Sequence, residues 1–291
     1  MSCFWKAFSC LWKSLGKCLL LTVTIAGIAL ALKAQDADSN RPEEDQRARI
    51  RRATEQIKKI DMRSAGKEVE GKDTQNAEEV VELVEQPLLI FGDTVRLHEN
   101  GTLWAFGKSG RPVAFIELFQ GRGRANWSQA VTLTSQTHGV VMRTPNGTRW
   151  TPQKTQIDPA LITASPAPAA KETVRLRQMK DLARRFTAHE FWDPDNSRFE
   201  LRLLVQPVHR YSDAKAGLHD GTAFILAHGT NPELVLLIEA LGEKLEASRW
   251  HFSLARSSSA ELHVELDGKE VWKQDRTPGV VGIPTDPYWM F

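Results

Sequence analysis

Five polar side chains stand in a short stretch where an earlier, similar stretch of the same chain is largely apolar or differently charged. They are His209, Arg210, Tyr211, His219 and His228, and 120 positions before them lie Leu89, Ile90, Phe91, Glu99 and Lys108. Imidazoles change charge near neutral pH and can move protons, guanidinium groups hold carboxylates and phosphates, and a phenol can donate to either. Polar groups replacing apolar ones at 209 and 210 mark either a binding site or a strand face turned to water. Trp192 joins them as a candidate, because a surface indole can stack on a sugar ring and no tryptophan of the earlier stretch corresponds to it. The candidate ligand-binding set is therefore His209, Arg210, Tyr211, His219, His228 and Trp192. No residue is assigned a catalytic role, and no metal or cofactor is expected.

The exclusions behind that set are chemical. All three cysteines, Cys3, Cys10 and Cys18, lie near the N-terminus, so the body of the chain has no thiol nucleophile, thiolate ligand or disulfide. His189-Glu190 lacks a second histidine at ligand spacing, and no Gly-x-Ser-x-Gly turn occurs. Gly66 to Asp73 has the spacing of a phosphate-binding loop but ends on Asp73 where a hydroxyl must meet magnesium, and no apolar strand precedes it. Two acid pairs recur, Asp93/Asp213 and Glu117/Glu239, in turn-like and strand-end settings that need a polar group for structural reasons. They could serve acid–base chemistry only if the fold brought them into one cleft.

The elements that must position these residues come in two related sets. Gln86-Pro87, Phe91, Asp93, Asn100-Gly101-Thr102 and Pro112 match Gln206-Pro207, Tyr211, Asp213, Asp220-Gly221-Thr222 and Pro232 at one constant offset, and the match resumes with small gaps at Trp127/Trp250, Ser135/Ser258 and Trp150/Trp272. A self-match at a fixed period reads as one supersecondary unit built twice. Period-two runs separated by turn residues predict antiparallel strands in both units. The repeated tryptophans are expected in the cores. Between the units, Lys171 to Phe191 carries apolar residues at helical spacing, with Arg175, Arg177, Lys180, Arg184 and Arg185 largely on the other side, and predicts an amphipathic helix. The fold class expected is α+β and β-rich: two tandem related antiparallel units with one packed amphipathic helix, the units either sharing one core or keeping two.

The domain plan follows. Residues 1–34 hold four lysines, no acid, and an apolar run from Cys18 to Leu32 followed by small residues, the parts of a signal peptide; the run is also the candidate for an uncleaved anchor over 18–32. Residues 35–78 are charged and poor in aromatics and read as a flexible spacer. The first unit occupies 79–151, a Pro/Ala-rich connector 152–170, and the helix, second unit and C-terminal tail 171–291. Beyond residue 34 the acids slightly outnumber the lysines and arginines, so no bulk field favours nucleic acid. Contact with a membrane is expected only through the N-terminal segment.

Several strings together resemble a family of uncharacterised exported proteins of planctomycete bacteria: Pro87 to Asp93, Gly101 to Gly107 with Gly110 to Ala114, Arg175 to Phe186 with His189 to Trp192, and Asp220-Gly-Thr through His228 to Glu233. The resemblance runs from about Gln86 to the C-terminus. It implies bacterial export, periplasmic or extracellular, but carries no established activity and no residue roles. In that setting the acceptor patterns at Asn100, Asn126 and Asn146 have no glycosylation to accept. The expected function is a non-catalytic binding or structural module of the cell envelope with an unknown extracytoplasmic partner or polymer. The alternative is a hydrolase acting on an extracellular polymer in a cleft between the units.

Overall fold

The apolar runs at residues 103–106, 223–227 and 234–238, and the run at 114–119 broken only by Glu117, demand burial on both faces, because a strand with one wet face alternates. The structure, a computed structural model, places them in the middle of a layered body. It describes residue 44 and residues 46–65, 78–93, 98–136, 139–192, 195–278 and 281–291. The expected leader over 1–34 and the loop-like segment 66–73 lie outside those residues. Residues 53–291 form one compact body. No helix among the described residues is long and apolar enough to cross a membrane.

A helix, α1, runs through residues 46–57. It is followed by β1 (Asp61–Ala65), β2 (Glu78–Val80), β3 (Leu89–Asp93), β4 (His98–Phe106), β5 (Ala114–Gly121), β6 (Trp127–Leu133), β7 (Val141–Arg143), β8 (Arg149–Trp150) and β9 (Ala160–Leu161). Then come α2 (Glu172–Ala183), β10 (Phe186–Trp192), β11 (Ser197–Leu203), β12 (His209–Asp213), β13 (Leu218–His228), β14 (Asn231–Leu241), β15 (Arg249–Arg256), β16 (Glu261–Leu266), β17 (Lys269–Gln274) and β18 (Tyr288–Met290). Among the described residues three antiparallel sheets result, with strand orders β2-β1-β7-β8, β18-β6-β5-β4-β3, and β17-β16-β10-β11-β13-β14-β15-β9, the last with β12 also paired to β13.

Strand registers in the two halves coincide at the offset of 120. Leu89, Ile90, Phe91 and Asp93 pair with Leu103, Thr102, Gly101 and His98, while His209, Arg210, Tyr211 and Asp213 pair with Ala223, Thr222, Gly221 and Leu218. The same irregularity falls between 91 and 93 and between 211 and 213. Backbone bonds just upstream also match: Val84 and Leu88 donate to Ala105 and Leu103, and Leu204 and Val208 donate to Ile225 and Ala223. Both glycines are needed where they stand. A Cβ on Gly101 would lie 2.4 Å from the Phe91 ring, and one on Gly221 would lie 2.6 Å from the Tyr211 ring.

Three apolar layers hold the body together. One contains Phe91, Leu103, Phe115 and Phe119 from the five-stranded sheet together with Ile225, Val235 and Leu237 from the nine-stranded one. On the other side of β4 and β5, Trp104, Ile116 and Leu118 pack with Ala53 and Ile57 of α1, Met62, Met142 and Trp150. On the other side of β13 and β14, Phe224, Leu236 and Trp250 pack with Met179 and Leu182 of α2 and with Ala188, Leu262 and Val264. β16, with one face in this layer, shows the strict alternation that β14 lacks.

Several expectations are corrected. The helix expected over 171–191 ends at Ala183, and 186–192 is β10, because β11 and β16 take up its backbone bonds on both sides. Arg175 does not share the polar side of α2: it lies in the buried stripe with Met179, Leu182 and Ala183. Residues 53–65, placed in the flexible spacer, contribute Ala53, Ile57, Ile60 and Met62 to a core. The tail expected to stay with the second unit returns instead to the first, where β18 pairs with β6 and Tyr288 enters the layer between the sheets. Of the four repeated tryptophans, Trp150 and Trp250 are fully buried, whereas Trp127 and Trp272 are only partly covered.

Candidate functional site

The two halves meet at polar points as well as apolar ones. The β4–β5 turn of the first half reaches the second, and the β13–β14 turn of the second reaches the first. In the latter contact the backbone of Gly92 donates to Thr230 Oγ1 at 3.2 Å, and the same hydroxyl donates to the Gly92 carbonyl at 2.8 Å. In the former, Gly110 packs so close to Asp213 that an added Cβ would lie 3.3 Å from that side chain. Arg111, next along, sends Nε and Nη2 to the two carboxylate oxygens of Glu239 at 2.7 and 2.6 Å. Tyr211 donates to Glu239 Oε1 at 2.9 Å, and Arg111 Nη1 donates to Gln136 at 3.1 Å. Ser257 adds a third crossing by donating to the buried Glu117 at 2.6 Å.

This network borders a cleft of about 900 Å³ lined from the first half by Ser109, Gly110, Arg111 and Gln136, and from the second by Asp213, Lys215, Gly217 and Gly242, among others. Glu239 is completely buried, and Arg111 is 14% exposed. Burial alone would lower the Arg111 pKa, but the bonds and charge of Glu239 outweigh it and raise it. Burial, reinforced by the Glu239 charge, pushes the Tyr211 hydroxyl well above its ordinary value. Glu239 therefore accepts three N–H or O–H bonds, and its partners are held in their donating forms.

A second, smaller pocket of about 230 Å³ is lined by Glu172, Arg175, Arg210, Tyr211, Ser212, His219 and Asp220. Here the buried Asp220 accepts from Arg175 Nε at 2.7 Å and from Arg210 Nε and Nη2 at 2.9 and 2.6 Å. Arg210 Nη2 also reaches the Glu172 carbonyl at 3.0 Å, and Arg175 Nη1 reaches the carbonyls of Ala169 and Ala170. The bonds to Asp220 raise the pKa of Arg210. His219 Nε2 sits 2.9 Å from the Gly242 carbonyl, and since that oxygen only accepts, Nε2 carries the proton. His219 thus ties the small pocket to the loop lining the larger cleft.

The structure brings together three of the six candidates, Arg210, Tyr211 and His219. The other three lie apart from the small pocket. His209 stacks on Tyr211 at 5.9 Å with its Nε2 buried and unbonded, and burial lowers its pKa. His228 Nδ1 lies 3.1 Å from Oε1 of the buried Glu190, with its ring against Phe199. Trp192 carries the guanidinium of Arg276 over its ring at 4.9 Å. None of the six lines the 900 Å³ cleft. Asp93, expected to parallel Asp213, has no described side chain.

Sequence reasoning missed Arg111 and Arg175. Arg175 carried a usable signal, an arginine at i, i+4, i+7 register with Met179 and Leu182 on the apolar stripe of α2. Arg111 carried none, because a charged residue in a hairpin turn is ordinary. Among the described residues no group of three or more His, Cys, Asp or Glu side chains is placed to hold a metal ion. The chain matches no family model, no curated protein and no solved structure with which it was compared.

Proposed function

We propose that this chain is an exported, non-catalytic binding or structural module of the bacterial cell envelope. In this reading it is built from two copies of one antiparallel unit that share the middle apolar layer, and it receives its partner or polymer in the cleft between the copies. The observation that carries the reading is the state of the two buried carboxylates whose arginine partners line the hollows. A general base must present a lone pair to the substrate. Asp220 is instead enclosed by two guanidinium groups, and Glu239 by one guanidinium and a phenol. These are the bonds of a rigid frame, suited to holding a shape. The matched registers at offset 120 support the duplicated unit.

The test uses the mature protein with purified cell-envelope polysaccharides and soluble glycans, followed for binding by co-sedimentation and for turnover by release of new chain ends. Binding without turnover is expected. It should be lost in Ser109→Trp and Lys215→Trp, two exposed cleft positions where an indole fills the space. New chain ends released by the wild type and abolished by Asp213→Asn, a carboxylate that lines the cleft, with folding intact, would move the reading to the hydrolase.

A further inference from the structure

We propose that the 230 Å³ pocket at the start of α2 is a binding site for a small oxyanion, a phosphate or carboxylate group, held by Arg175 and Arg210. The site is separate from the cleft and does not depend on what the cleft binds. Two guanidinium groups converge on one wall of the pocket, and neither is used up by Asp220. Arg175, whose side chain is 7% exposed, spends Nε on Asp220 and Nη1 on two carbonyls, which leaves Nη2 without an acceptor among the described residues. Arg210 spends Nε and Nη2, which leaves Nη1 open, and its side chain is 31% exposed. Paired N–H groups in a fixed fork fit the oxygens of a phosphate or carboxylate. Ser212 adds an exposed hydroxyl to the lining. The first turn of α2, which has no side-chain cap, presents its backbone N–H groups at the same end as Glu172 and Arg175.

The arginines are not explained by strand pairing. The first half makes the same strand pairing with Ile90 opposite Thr102 where the second sets Arg210 opposite Thr222, and Asn100, at a left-handed φ of 59°, stands at the offset of Asp220. Ile90 is 43% exposed, and Asn100 simply bonds Gln120. One half thus pairs these strands without a guanidinium, and the other places two beside an acid that orients them. Charge is compatible with an anion: Asp220 offsets one of the two arginines, and Glu172, the other acid of the lining, is exposed to solvent.

The experiment is calorimetric titration of the full mature chain with inorganic phosphate, methyl phosphate and acetate at low salt, with near-ultraviolet circular dichroism as the folding control. Saturable binding to the wild type is expected. Arg210→Gln should weaken it at least tenfold, and Arg210→Lys should also lose most of it, because an ammonium cannot reproduce the fork. Since Arg210→Gln also removes two bonds to Asp220, Ser212→Glu serves as a second variant: it leaves those bonds intact, places a carboxylate in the pocket, and should abolish binding. Equal affinity for phosphate and methyl phosphate would mark the site as one for a group carried on a larger molecule, and preference for the free ion would mark it as a site for the ion itself. Absence of saturable binding by the wild type, or binding unchanged in a folded Ser212→Glu protein, would overturn the proposal.

Discussion

Replacing Arg111 by methionine should be among the most damaging single changes at the junction of the two halves. The structure sets the scale. Arg111 gives Glu239 two charge-assisted bonds at 2.7 and 2.6 Å, and such bonds are worth about 1.5–3 kcal/mol each. Glu239 has no exposure, so it has no route to water once its partner is gone, and only the Tyr211 hydroxyl remains to it. Breaking one side of a buried pair costs about 3–5 kcal/mol, and the 14% exposure of Arg111 favours the lower end. Arg111→Met should therefore destabilise by roughly 3 kcal/mol at neutral pH. Glu239→Gln should cost less, about 2 kcal/mol, because the freed guanidinium reaches solvent and Gln136. The double variant should recover much of the sum, with a coupling energy above about 2 kcal/mol, since neither side then leaves a charge unmatched. Urea unfolding of all four proteins, followed by circular dichroism and tryptophan fluorescence, measures the cycle. A cost below about 1 kcal/mol for Arg111→Met, or a coupling below about 0.5 kcal/mol, would refute the claim that this pair is buried and joins the halves.

The repeated tryptophans should split into two classes: Trp150→Ala and Trp250→Ala, both fully buried, are expected to cost about 3–5 kcal/mol in urea unfolding, and the partly covered Trp127 and Trp272 measurably less. The Tyr211 hydroxyl is raised in the folded state above its unfolded value of about 10, so its contribution is full below that pH and is lost as pH rises through the folded pKa. Alkaline unfolding followed by circular dichroism and tyrosinate absorbance should show Tyr211 ionising only as the chain unfolds, and Tyr211→Phe should flatten the fall in stability above about pH 10.

The sequence by itself determined the local periods and their recurrence. Runs at 127–133 and 261–266 read as strands and are β6 and β16 with those bounds, because their turns and apolar alternation are local properties. The constant offset between Gln86 and Gln206 was visible without structure, and the strand pairs of the two halves keep it. What tertiary structure decided was every choice in which neighbouring residues do not supply the partner. Phe186 to Trp192 continues an apolar pattern that suits a helix or a strand, and β11 and β16 selected the strand by offering hydrogen bonds on both sides. Ala53, Ile57 and Met62 looked too sparse to bury, because the apolar surface they cover comes from Trp104 and Ile116 far along the chain. The same reason governs the candidate site. The polar residues of 209–228 were legible as a departure from their counterparts, but their grouping was not: Arg175 from α2 and Asp220 from β13 converge on Arg210, while His209 and His228 turn to other neighbours. Side-chain chemistry is written residue by residue, whereas which acid meets which base depends on how sheets and helix stack, and that is fixed only when the apolar layers close.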